Sequence, residues 1–98
     1  MLHGDVSFEI RESVDGACLV AAGEIDMSSG PALAAALSRM MSTRGEVVVD
    51  MSGVSFMDST GLNVLCTAAL QGPVRLQHLQ DHVRHILALT GLENTFTE

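Results

Sequence analysis

Ninety-eight residues hold one modest core, so a single α/β domain over residues 1–98 is expected. Five Lys+Arg against 12 Asp+Glu leave a formal net charge of -7; with no basic cluster, nucleic-acid backbones and anionic membrane surfaces are poor partners. No stretch approaches ~20 unbroken apolar residues, so no helical membrane span is expected. Met1-Leu2-His3-Gly4-Asp5 lacks the basic start and apolar run of a signal peptide. Cys18 and Cys66 stand among apolar neighbours and read as reduced core thiols of a cytoplasmic protein.

Val6, Phe8 and Ile10 alternate with Ser7, Glu9 and Arg11, the period of a half-buried strand. Asp15-Gly16 predicts a tight hairpin turn, and Ala17 to Gly23 the returning strand. Ser28-Ser29-Gly30-Pro31 marks a helix start, followed by an apolar stripe of Leu33, Leu37, Met40 and Met41 that Gly45 closes. Val47-Val48-Val49 lies within a strand expected over Glu46 to Met51. A second helix is expected from Leu62 and stops near Leu70, before Gly72-Pro73. Val74 to His78 reads as a fourth strand, and Asp81 as the cap of a third helix with Val83, Ile86 and Leu87 on one side. Asn94 to Glu98 is either an edge strand or a frayed tail. Strand-helix-strand steps imply parallel neighbours with right-handed crossovers, and the first two strands pair antiparallel. The expected architecture is a mixed sheet of four to five strands with helices mainly on one face.

The run Phe56-Met57-Asp58-Ser59-Thr60-Gly61-Leu62 places two hydroxyls and an acid at a loop-to-helix junction. Such residues suit a helix start, where a side-chain oxygen accepts from unpaired backbone amides, and an exposed hydroxyl there is a target for phosphorylation. Three enzymatic readings fail on spacing. A nucleophile elbow needs glycine where Met57 stands. An aspartic-protease loop needs Asp, one hydroxyl residue and Gly in succession, but Asp58 and Gly61 are separated by two. A phosphate-binding loop needs a lysine, and the chain has none. His78, His82 and His85 stand at helical spacing without a neighbouring Cys, and exposed histidines describe them better than a metal site. Asp26, ending Gly23-Glu24-Ile25-Asp26, sits at a strand end where loops gather. By itself it is an ordinary carboxylate that helps start the first helix.

Three ordered motifs carry a resemblance across nearly the whole chain. They are Gly23-Glu24-Ile25-Asp26, the run Val49-Asp50-Met51-Ser52-Gly53-Val54-Ser55-Phe56-Met57-Asp58-Ser59-Thr60-Gly61-Leu62, and Leu87-Ala88-Leu89-Thr90-Gly91-Leu92. Together they resemble the STAS domain of bacterial anti-sigma factor antagonists. The resemblance implies a non-enzymatic partner-switching regulator of transcription, and a complete set of amphipathic elements with no ligand cluster predicts a cofactor-free monomer. The serine matching Ser59 is phosphorylated by an anti-sigma factor that is itself an ATP-dependent serine kinase, and a phosphatase reverses it. Only the unphosphorylated form binds that kinase. Asp26, Asp58, Thr60 and Gly61 fall on matching partner-binding positions around Ser59. The alternative is a STAS-like scaffold of a stress-sensing complex or a transporter accessory subunit, and the intact Asp58-Ser59-Thr60-Gly61 favours the antagonist.

Overall fold

The computed structural model describes residues 6–13, 16–92 and 95–96. The elements run β1 (Ser7–Ser13), β2 (Gly16–Ile25), α1 (Gly30–Arg44), β3 (Val47–Met57), α2 (Ser59–Ala69), β4 (Val74–Gln77) and α3 (Asp81–Thr90). Among these residues the sheet has four strands in the order β1-β2-β3-β4. β1 pairs antiparallel with β2, while β2–β3 and β3–β4 are parallel. The expected α/β architecture is therefore present. The expected features at Met1–Asp5 and at Asp15, and Asn94, Thr97 and Glu98 of the expected edge strand or frayed tail, lie outside the described residues.

Alternation decides which face is covered. Leu19 and Ala21 of β2, Val47, Val49 and Met51 of β3, and Val74 and Leu76 of β4 are buried. They share one hydrophobic cluster with Leu33 and Leu37 of α1, Leu62 and Leu65 of α2, and Val83 and Leu87 of α3. Each fully buried aliphatic side chain stabilises the fold by about 1.5–3 kcal/mol relative to exposure. The intervening residues Val20, Val48 and Asp50 are only half-buried and Arg75 is exposed, so the helices cover one face. Neither cysteine is the core thiol expected: both are half-buried, Cys18 lies outside the core cluster and Cys66 only packs against it, while partial burial pushes the Cys18 thiol above its ordinary pKa.

Two boundaries differ from expectation in ways that matter for function. β3 continues through Met57 rather than ending at Met51, and α2 begins at Ser59 rather than Leu62. The hydroxyl loop is thus a one-residue junction, Asp58. β2 likewise runs on to Ile25, past register shifts against β3 between Val20 and Ala22 and between Gly23 and Glu24. Gly23 takes φ 99° at the second shift, a backbone conformation open to glycine at little cost. α2 ends at Ala69 with Leu70 as its cap, close to the expected stop. α3 has Gln80, not Asp81, at its cap position. Asp81 instead lies in the first turn, where a carboxylate complements the helix dipole.

The chain end contains the largest surprise. Thr95 and Phe96 belong to no strand, yet Phe96 is only 1% exposed and is part of the core. A frayed tail is excluded at that residue.

Candidate functional site

The C-terminal ends of β2 and β3 are held in register by the pair Ile25–Met57. One step on, the Asp58 amide donates to the Ile25 carbonyl at 3.2 Å. This bond sets the β2–α1 loop directly beside the β3–α2 junction. At the helix starts, Thr60 packs on Gly30 so closely that a Cβ at Gly30 would come within 2.9 Å of the Thr60 methyl. The loop of residues 26–29 is therefore bracketed on both sides by the Ser59 junction.

Asp58 is the N-cap of α2. Its Oδ1 accepts from the amides of Thr60 at 2.8 Å and Gly61 at 3.4 Å, satisfying donors that a helix start leaves unpaired. Ser59 is the first helical residue and is exposed. Its hydroxyl makes no hydrogen bond among the described residues, so it stands open to solvent at the positive end of the α2 dipole. Thr60 is half-buried and lines a groove of about 450 Å³ between α1 and α2, with Asn63 and Thr67 beside it and Ala34 and Ser38 opposite.

Gly61 is buried against the strand ends. A Cβ there would meet Met57 Cγ at 2.6 Å and Ile25 Cγ2 at 2.7 Å, and both neighbours are fully buried. The glycine lets α2 settle onto β2 and β3 and so fixes how far Ser59 protrudes. Gly61→Ala is expected to cost about 1 kcal/mol net. Overpacking of roughly 1–3 kcal/mol is partly offset by about 1 kcal/mol of helix propensity. A urea midpoint below wild type checks this; an unchanged or raised midpoint contradicts the close approach.

Asp26 is turned onto its own loop rather than across it. Its Oδ1 accepts from the Ser28 amide at 3.0 Å, the Ser28 hydroxyl at 2.8 Å and the Ser29 amide at 3.2 Å. The Ser28 hydroxyl bond is the main reason its carboxyl titrates below the ordinary carboxylate range. Ser29 does not cap α1 with its side chain. The hydroxyl instead accepts from the Asp26 amide at 2.9 Å and donates to the Glu24 carbonyl at 3.0 Å, so it staples the loop to the end of β2. Ser-Ser-Gly-Pro marks a helix start whether the Ser29 hydroxyl caps forward or, as here, bonds backward.

A lowered folded-state pKa means that the ionised Asp26 stabilises the fold at pH values above the unfolded carboxylate pKa of about 4. That contribution is lost as pH falls through the folded value. Asp26→Asn should therefore be less stable than wild type at pH 7, and the difference should shrink below about pH 4. Urea titrations of both proteins across that range check this; a pH-independent difference contradicts the hydrogen-bonded carboxylate.

The histidines do not converge on a ligand set: among the described residues, no three His, Cys, Asp or Glu side chains are grouped to hold a metal ion. β4 stops at Gln77 rather than at the expected His78, which follows it at φ 58°. His82 stacks on Phe56, with ring centroids 5.2 Å apart. No helix among these residues is long and apolar enough to cross a membrane.

The family model described as "Mlab, STAS domain" matches residues 8–98. The anti-sigma-B factor antagonist of Listeria monocytogenes is 34% identical over 97 residues, covering 92% of this chain and 85% of that protein. This chain belongs to the STAS family of anti-sigma factor antagonists. The anti-sigma-B factor antagonist of Bacillus subtilis is 25% identical, with 92% and 87% of the two chains covered. The crystal structure of an anti-sigma factor antagonist from Mycobacterium paratuberculosis superposes with a TM-score of 0.79 at 27% identity, over 94% of this chain and 83% of that one. The STAS fold, with its four-stranded mixed sheet and three helices, is thus shared with antagonists of known structure.

Proposed function

We propose that this STAS protein is a partner-switching antagonist that binds an anti-sigma factor serine kinase in the cytoplasm and is released when Ser59 is phosphorylated. The observation that carries this reading is the state of the Ser59 hydroxyl. It is exposed, unbonded among the described residues, and set on the first turn of a helix whose Thr60 and Gly61 amides Asp58 already satisfies. Asp58 positions the helix start, Gly61 seats it, Thr60 packs it against α1, and Asp26 holds the neighbouring loop. The chain supplies the hydroxyl and the surface; ATP belongs to the kinase. On transfer the Ser59 Oγ–phosphorus bond forms, ADP leaves, and the hydroxyl proton passes to a base on the kinase. A phosphatase hydrolyses the ester and restores the binding form.

The test is mass spectrometry after incubation with ATP and each of the host's anti-sigma factor kinases in purified form. One phosphate at Ser59, with none on Ser59→Ala, is the expected result. Phosphate solely at Thr60 or elsewhere would overturn the assignment, as would no transfer from any of these kinases.

A further inference from the structure

We infer that Met27 is the apolar anchor by which this surface grips its kinase, seating in an apolar recess rimmed by basic side chains. The inference rests on the antagonist reading above and adds a contact residue to it. Met27 is 78% exposed, and lone exposed apolar residues are ordinary on protein surfaces. What sets Met27 apart is how it is held and where.

The loop around it is fixed from both sides. Asp26 Oδ1 takes the Ser28 and Ser29 amides, Ser29 Oγ ties the loop to Glu24, and the Gly30 amide donates to the Asp26 carbonyl at 2.8 Å. A side chain displayed on a rigid loop loses little further backbone freedom on binding, the condition under which an exposed apolar group becomes an effective anchor. The unbranched thioether adapts to the shape of a recess.

Location decides the partner. The loop abuts the Ser59 junction through the Asp58–Ile25 bond and the Thr60–Gly30 contact. Glu24, Asp26 and Asp58 contribute carboxylates to these segments, and none of the five arginines lies within residues 23–30 or 56–63. A face on which an exposed apolar side chain stands on an acid-bearing loop beside a second acid-bearing segment complements a basic rim around an apolar recess. Leu70, 87% exposed, follows the far end of α2, about 16 Å from Ser59 along an 11-residue helix, and provides the control.

The experiment measures the affinity of the full chain for the kinase that phosphorylates it, using wild type, Met27→Ala, Met27→Gln, Met27→Leu and Leu70→Ala. Met27→Ala and Met27→Gln are expected to bind about 10-fold more weakly, with Met27→Leu and Leu70→Ala within about twofold of wild type. Thermal midpoints should stay together, because the side chain is outside the core. The Met27→Ala deficit should persist at high salt, since an apolar contact is not screened. Wild-type binding equalled by Met27→Ala, or an equal deficit in Leu70→Ala, would overturn the anchor while leaving the antagonist reading intact. Failure of wild type to bind any anti-sigma kinase would overturn both.

Discussion

Ser59→Glu should bind the anti-sigma kinase roughly 10- to 100-fold more weakly than Ser59→Ala, and phosphorylated wild type more weakly still. Leaving an anion desolvated and imperfectly paired at an interface costs several kcal/mol, and about 1.4 kcal/mol corresponds to tenfold in affinity. A phosphate brings about -1.5 to -2 charges, so the single charge of glutamate reproduces only part of the effect. The deficit belongs to the interface rather than the fold. Ser59 is the first residue of α2 and exposed, where the helix dipole favours an anion. Thermal midpoints of the two variants should accordingly agree to within a few degrees. Calorimetric titration against the kinase reads the affinities. Equal affinities for Ser59→Glu and Ser59→Ala would end the charge-switch account, while a collapsed midpoint in Ser59→Glu would mean that the junction depends on the neutral hydroxyl.

Phe96→Ala should destabilise the protein by about 3–5 kcal/mol, the range for truncating a buried aromatic residue. Domains of this kind are stable by about 5–15 kcal/mol in total, so this one side chain accounts for a large fraction. Phe96 is 1% exposed and shares the cluster of Val83, Leu87 and Leu76. The approach to it is built by local bonds: the Leu92 amide donates to the Leu87 carbonyl at 3.0 Å and the Thr95 amide to Leu92 at 3.0 Å. Thr95 is exposed, and Thr95→Ala should fall within about 0.5 kcal/mol of wild type. Urea denaturation of the two variants separates core anchoring from a general effect of altering the chain end. Phe96→Ala within 1 kcal/mol of wild type would show that the core closes without it.

Most elements were legible because their signals are local. Leu33, Leu37 and Met40 recur at helical spacing, and Gly45 and Gly91 stand in the left-handed conformation just past α1 and α3, the usual helix ending. The site was legible as a set of residue types but not as geometry. Ser55, Ser59 and Thr60 are all small hydroxyl residues near one junction. Nothing in their order says that β3 persists to Met57, because the last strand residues are held by pairing with β2 rather than by their own propensity. Asp26 and Asp58 read both as helix-start carboxylates and as acids facing a partner, and only the folded chain shows that each commits one oxygen to the amides two and three residues on.

By itself the sequence determined the α/β class, the order of elements and the junction that bears the hydroxyls, since periodicity, turn residues and motif spacing act over a few residues. The tertiary structure alone decided the rest. Phe96 became core because packing density rewards any apolar group that reaches an unfilled site, however polar its neighbours in sequence. Gly61 became the better fit at its position because two buried side chains, 36 and 4 residues away, approach it in space. Ser59 was separated from Thr60 because helical geometry turned one outward and set the other against Gly30. Local preferences cannot encode these outcomes, which depend on residues distant in the chain competing for the same volume.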